Sequence, residues 1–269
     1  MSTRPTPAAD PDPQAGINAD VWRRGRYVRY YASRELRPAE VLVLVRHREK
    51  LEGDVLELGC GAGRLTGYLA ELARSARGID LSPQMIDYCR RRYPRGIFDV
   101  GDLRDLAPFA DGSFDAVIAT WNVLDVLGED ERARVLREIR RILVPGGLLL
   151  MSSHNLAYVP RLKAPTDLRA RNLVRRAGRL ALMPARQRHH RALAGMERSA
   201  GDHAIVNDDA HGYRLLHYYV SRDAQERQLR DAGLDFLECL DNDGHTVGPG
   251  EQARDHVELY YLASRPTGE

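Results

Sequence analysis

The stretch Glu57-Leu58-Gly59-Cys60-Gly61-Ala62-Gly63 decides the fold. Ahead of it, residues 54–58 read as a short buried strand, and behind it residues 65–74 read as a helix. Glycines at alternate positions let the backbone turn sharply and come close to a ligand, where any Cβ would collide. A strand, a glycine turn and a helix in that order are the opening half of a βαβ unit.

Outward from this turn the pattern repeats. Strand 76–80 precedes helix 83–92, a short strand at 97–100 precedes a polar loop, and strand 114–120 precedes helix 130–143. Pro145-Gly146-Gly147 stops that helix and opens strand 148–152. Strands alternating with helices predict parallel pairing with helices on both faces. The alternation breaks over 155–219 and resumes with helix 221–232, N-capped by Ser221, and strands 235–240 and 257–263. The expected organisation is a disordered Pro-, Ala- and Asp-rich tail over 1–18, a helical cap over 19–50, a core over 51–154, an inserted lid over 155–219, and a C-terminal part over 220–269 that completes the sheet.

Charge is uneven along the chain. The net charge is +2, yet from Arg161 to Arg198 ten arginines and one lysine face only Asp167 and Glu197. Lysine occurs only at positions 50 and 163, so the choice of Arg over Lys says little about phosphate recognition, whereas the clustering does carry information. Cys60, Cys89 and Cys239 lack paired spacing, which argues against a disulfide framework or a zinc site and predicts no metal centre. With no run near the roughly 20 apolar residues of a membrane span and no secretory leader, the expected setting is a reducing cytoplasm.

The spacing GxGxG is not the dinucleotide fingerprint GxGxxG, because Arg64 stands where the third glycine belongs. Preceded by Glu57, it resembles motif I of class I S-adenosylmethionine-dependent methyltransferases. Four further landmarks follow in the same order: Gly78-Ile79-Asp80, Gly101-Asp102-Leu103, Phe114 to Ala119 with Trp121-Asn122 after it, and Leu143-Val144-Pro145-Gly146-Gly147. The resemblance covers residues 54–153. It implies a Rossmann-like methyltransferase fold, α/β with a seven-stranded, mostly parallel sheet, a reversed last strand and a basic helical insertion. It also implies S-adenosyl-L-methionine as cofactor. Glu57 would lie near the methionine amine or brace the glycine loop, in which Gly59, Cys60, Gly61 and Gly63 approach the ligand. Asp80, followed by Leu81, would hold the ribose hydroxyls; Asp102, followed by Leu103, would read the adenine amine; Trp121 and Asn122 would complete the cleft. Asp80 and Asp102 also read as helix caps.

Methyl transfer is largely alignment, with a base needed when the nucleophile is a hydroxyl. His154, at the end of the fifth strand, is one candidate base, and His211 and His217 are two more; each also reads as a structural histidine. Many relatives carry a His after the fourth strand. Here Leu124-Asp125-Val126 stands in that place, leaving Asp125 as a weaker candidate. Tyr27, Tyr30 and Tyr31 are expected to cover cofactor or substrate, or simply to pack the helix. In 168–182, Leu173, Val174, Ala177, Leu180 and Ala181 share one helical face among arginines. That face suits a solvated lid, an electrostatic lid for an anionic substrate, or a surface for lipid headgroups, a carrier or nucleic acid. The expected activity is methyl transfer to a small-molecule acceptor, with RNA methylation and non-catalytic cofactor binding as alternatives.

Overall fold

The computed structural model describes residues 13–23, 27–162 and 173–268, with side chains over 173–182 left out. Helices α1 (Pro13–Trp22), α2 (Val28–Ala32), α3 (Pro38–Arg46) and α4 (Arg48–Leu51) precede strand β1 (Asp54–Leu58). Then come α5 (Thr66–Leu69), β2 (Ser75–Asp80), α6 (Pro83–Arg92), β3 (Ile97–Val100) and β4 (Phe114–Ala119). Helix α7 (Glu129–Ile142) leads into the long β5 (Leu143–Asn155), followed by α8 (Val159–Leu162) and α9 (Leu173–Leu193). Strands β6 (Arg198–Ser199), β7 (His203–Val206) and β8 (His217–Val220), helix α10 (Arg222–Asp231), and strands β9 (Asp235–Leu240) and β10 (Glu258–Ser264) complete the chain.

Strands β3, β2, β1, β4 and β5 pair in that order, all parallel, and β10 joins the far edge of β5 antiparallel with β9 beyond it. Side-chain alternation with period two builds a core on each face. In β4, Val117 and Ala119 join one cluster, Ala116 and Ile118 the other; in β5, Leu149 and Met151 oppose Leu148 and Leu150. Helix α7 covers one face by burying Val135, Leu136, Ile139 and Ile142 at helical spacing.

Among the described residues the sheet has ten strands, where seven were expected. The difference lies in the insertion, where β6, β7 and β8 form an antiparallel extension. Its attachment follows from strand length. Pairing of β4 with β5 ends at Ala119↔Met151, while β5 runs on to Asn155. Strand β8 takes the vacated edge, pairing His154↔Tyr219 and Asn155↔Val220 in parallel, while β10 holds the opposite edge at Glu258↔His154. The extension therefore stands beyond the carboxyl end of β4, where ligands bind in open α/β sheets.

The N-terminus also differs from the sequence expectation. Residues 1–12 lie outside the described residues, but 13–18 belong to α1 rather than to a disordered tail. Asn18 Nδ2 donates to the carbonyls of Val126 (2.8 Å) and Leu216 (2.7 Å), and its Oδ1 accepts from the Leu216 N–H (3.0 Å). Gln14 donates to the same region, to Asp125, Leu127 and Leu216. Two buried amides one turn apart hold α1 where apolar residues are few. The arginine face expected over 168–182 falls on residues or side chains outside the described set. Among the described residues no helix is long and apolar enough to cross a membrane.

Candidate active site

The glycine turn has three glycines with positive φ, and each serves a different end. A Cβ on Gly59 would stand 2.7 Å from Val123 Cγ1, and one on Gly63 would stand 2.9 Å from Cys89 Sγ, so both permit close packing of neighbouring elements. A Cβ on Gly61 would meet nothing within 4 Å, because Gly61 faces an open cavity. That cavity is walled by the carboxyl ends of β1, β2, β4 and β5, by α1 and α2, and by the loop before β8.

Asp80 reaches the cavity from the tip of β2. Its Oδ2 accepts the Gly61 N–H at 2.9 Å and its Oδ1 accepts the Ser82 N–H at 2.8 Å. Burial pushes its pKa up, and the two amides oppose that rise. Glu57, buried at the end of β1, accepts from the backbone N–H and the hydroxyl of Thr66, so one carboxylate oxygen braces the start of α5. Burial raises its pKa to about 7, the Thr66 hydrogen bond acting against it. Cys60, Leu81 and Leu103 line the cavity as well. Asp102 and Gly63 do not. The Asp102 carboxylate is taken by the guanidinium of Arg104, at 2.6 Å to Nη2, and by the Arg104 N–H at 2.9 Å.

Beyond β4 the chain takes two consecutive left-handed residues, Trp121 and Asn122, each at φ 59°. Non-glycine residues enter this region at a conformational cost that tertiary contacts must outweigh. Here Ser152 Oγ accepts the Asn122 N–H (2.9 Å) and donates to its Oδ1 (3.0 Å), while Asn122 Nδ2 donates to Glu258 (2.9 Å). The strained turn carries Trp121 into the cavity with its indole N–H buried and unpartnered.

His154 lies near the end of β5, beside the Trp121–Asn122 turn. Its Nδ1 lies 2.7 Å from Asp125 Oδ2, and its Nε2 lies 3.3 Å from Asn122 Nδ2. Since the Asn122 amide donates, Nε2 is the acceptor and Nδ1 carries the proton; this tautomer is assigned from the hydrogen bonds. Burial lowers the His154 pKa, but the hydrogen bond and charge of Asp125 outweigh it and the net direction is upward. Asp125 is itself buried against Arg132 at 2.5 Å and Ser153 at 2.8 Å, and Arg132 with His154 drives its pKa down against the cost of burial.

A second pair lies alongside. His217 Nδ1 is 2.8 Å from Asp208 Oδ2, which also accepts the Tyr219 hydroxyl at 2.7 Å. The His154 and His217 rings are 4.9 Å apart. Ligand atoms of His154, Asp208 and His217 fall within 4.8 Å of one another, a metal-capable grouping absent from the sequence expectation. In this arrangement both imidazoles are engaged by carboxylates instead. His211, on a left-handed residue at φ 52°, meets the Tyr31 hydroxyl at 3.4 Å; burial and the neighbouring His217 hold its pKa down to about 4. All three candidate histidines thus line one cavity, as do Tyr30 and Tyr31, whereas Tyr27 packs on Trp22 and His211.

Sequence reasoning gave Asp125 only as a weaker candidate base and did not foresee its contact with His154, because the two are 29 residues apart in the chain. Glu258, Arg37 and Trp22 went unread for the same reason, since each reaches the cavity only through tertiary placement, and so did Asp208, which holds the cavity residue His217.

The model of the methyltransferase domain family matches residues 56–151. Residues 56–151 are a class I S-adenosylmethionine-dependent methyltransferase domain. A probable S-adenosylmethionine-dependent methyltransferase of Mycolicibacterium smegmatis is 35% identical over 115 residues, which make up 42% of this chain and 43% of that protein. A fatty-acid O-methyltransferase of the same organism is 41% identical over 108 residues, 39% of this chain and 38% of the other. The chain spans less than half the length of these curated relatives. Among solved structures, the 1,6-didemethyltoxoflavin-N1-methyltransferase of Burkholderia thailandensis matches with TM-score 0.61 at 17% identity, covering 98% of this chain and 94% of that one. At that identity the likeness shows the fold, and it extends past the methyltransferase domain over the insertion and the C-terminal strands.

Proposed function

We propose that the chain is an enzyme that transfers a methyl group from S-adenosylmethionine to a small-molecule acceptor, with His154 as general base. The observation that carries this reading is the pairing, in one cavity, of the Asp80–Gly61 cradle with the Asp125–His154 pair. The cradle fits the cofactor: the Gly61 face is open where a Cβ would intrude, and the buried Asp80 carboxylate faces the cavity, suited to two vicinal hydroxyls. Leu81 and Leu103 offer apolar walls for an adenine, and Gly59, Cys60 and Glu57 border the methionine end. Asp102, engaged by Arg104, is better suited to shaping the loop around Gly101 than to reading the base.

S-adenosylmethionine supplies a methyl group already activated on a sulfonium, so the chain's own work is alignment and proton removal. His154 Nε2 takes the acceptor's proton once the acceptor hydroxyl displaces the long 3.3 Å hydrogen bond from Asn122 Nδ2, and Asp125 steadies the imidazolium that results. Arg132 and Ser153 hold the Asp125 carboxylate in place, and Asn122, clamped by Ser152 and Glu258, sets the position of Nε2. A protein that only held the cofactor would gain nothing from this buried pair, which favours catalysis over a non-catalytic module.

Calorimetric titration with S-adenosylmethionine and S-adenosylhomocysteine, on wild type and Asp80→Ala, tests the reading. Saturable binding that weakens about 10- to 100-fold in the variant is expected. A folded wild type that binds neither ligand overturns it.

A further inference from the structure

Resting on that reading, we propose that the acceptor is a neutral, planar aromatic molecule bearing an acidic hydroxyl, a phenol or an enol, and that it is methylated on that oxygen. Three independent features of the cavity point to this class.

The first is a cluster of aromatic rings lining the cavity that also holds His154. Trp22, Tyr31, Trp121 and His211 converge from four separate segments of chain. Trp22 lies 5.9 Å from Tyr31 and 4.9 Å from His211, and Tyr31 lies 5.9 Å from Trp121, all tilted or edge-on. Two of the four, Trp121 and His211, sit on left-handed backbone, so the chain accepts strain at two places to present rings to one space. Rings set this way receive a flat apolar ligand by face and edge.

The second is charge. Arg37 and Arg64 are the cavity's guanidinium groups among the described residues, and each faces a carboxylate. Arg64 makes a bidentate pair with Glu40 at 2.6 and 2.7 Å, and Arg37 stands 3.6 Å from Glu258. Both guanidinium groups lie about 5 Å from the Trp121 ring. His211 is held neutral near pH 7 by burial. Glu57, Asp80 and Glu258 add carboxylates. Arg64 is fully matched, whereas Arg37 keeps a buried Nε–H without a hydrogen-bond partner among the described residues; a carboxylate or phosphate on the acceptor would still meet these acids at close range.

The third is the pairing of a base with an unused donor. His154 Nε2, once the long 3.3 Å hydrogen bond from Asn122 Nδ2 is displaced, suits an acceptor that must lose a proton, which a phenol needs and a neutral amine does not. The Trp121 indole N–H is buried without a partner and can donate to a second oxygen on the ring system. In the step, the acceptor O–H proton passes to Nε2 and the oxygen forms the new bond to the methyl carbon. The methyl–sulfur bond breaks with its electron pair going to sulfur, leaving a neutral thioether and the methyl ether.

The chain holds only two tryptophans, Trp22 and Trp121, and both line this cavity, so tryptophan emission reports its occupancy directly. The test uses four probes on one ring: naphthol, naphthoate, naphthylamine and naphthalenethiol, each added to full-length enzyme with S-adenosylhomocysteine for binding or S-adenosylmethionine for turnover. Naphthol is expected to quench tryptophan emission and to give the methyl ether by mass spectrometry, with kcat/KM at least about tenfold above the other three. His154→Gln should remove ether formation while quenching and S-adenosylhomocysteine binding persist. The proposal is overturned if naphthoate, naphthylamine or naphthalenethiol is the preferred acceptor, if His154→Gln retains ether formation, or if naphthol neither quenches nor reacts while S-adenosylhomocysteine binds normally. Loss of S-adenosylhomocysteine binding by the wild type would instead strike the cofactor reading beneath it.

Discussion

Oδ2 of Asp125 accepts twice from His154, from the backbone N–H at 2.6 Å and from Nδ1 at 2.7 Å, so one oxygen sets both the position and the tautomer of the imidazole. The folded-state pKa of His154 is raised, because the Asp125 hydrogen bond and charge outweigh burial. As a base the ring must be neutral, so kcat/KM should rise with pH along a limb centred above 6.5, the ordinary histidine value. Asp125→Asn removes the opposing term and leaves burial, so the limb should shift to lower pH while kcat falls about 100-fold or more. pH–rate profiles of both proteins check this; a limb that stays in place would show that Asp125 does not tune His154.

His211 behaves in the opposite sense. Its folded pKa lies near 4, below the 6.5 expected when unfolded, so between these values the unfolded chain binds more protons. Stability from this site is full above pH 6.5 and is lost as pH falls toward 4. Urea titrations at pH 7 and pH 5 should show wild type losing more stability than His211→Asn across that interval.

Burial lifts Glu57 to about 7, the reverse case for an acid. The folded chain then holds a proton between about 4.5 and 7 that the unfolded chain has lost, so the site costs stability as pH rises through that interval. Glu57→Gln keeps an acceptor for Thr66 and removes the ionisation. Its melting temperature should exceed that of wild type at pH 8 and differ less at pH 5.

The two exposed faces of the glycine turn should separate folding from binding. Gly59→Ala meets Val123 Cγ1 at 2.7 Å on a residue with φ 64°, so a drop in melting temperature is expected beyond the roughly 1–2 kcal/mol of left-handed strain. Gly61→Ala has the same strain and no protein clash, yet its methyl enters the cavity. It should melt close to the strain cost alone and still bind S-adenosylhomocysteine at least about tenfold more weakly.

Asn18 joins α1 to both Val126 and Leu216. Asn18→Ala leaves the Val126 carbonyl and the Leu216 N–H unpaired, at about 1–3 kcal/mol each, while Gln14 still donates to the Leu216 carbonyl. Limited proteolysis should then cut near α1 well before the core unfolds.

Much of this architecture could be read from local pattern. The strands 54–58, 97–100 and 235–240 were legible because glycine and proline punctuate short apolar runs, and Asp80 was legible because a strand tip places it. Asp102 was equally well placed in sequence, but Arg104, two residues on, captures its carboxylate. The β7–β8 hairpin was missed because β8 owes its edge to the overrun of β5, a relation between strands rather than a property of either. Helix α1 was missed because its composition signals disorder while its anchoring rests on two amides whose acceptors are more than 100 residues distant.

Glu258, His154 and Tyr219 occupy one rung across β10, β5 and β8. Because the pleat alternates sides, a slip of one residue in any of these strands would turn its member of the rung to the other face. The rung thus works as a gauge that rejects odd-numbered length changes within the three strands. Trp121, after β4, and His211, before β8, both lie outside the rung, so either can be exchanged without disturbing the gauge.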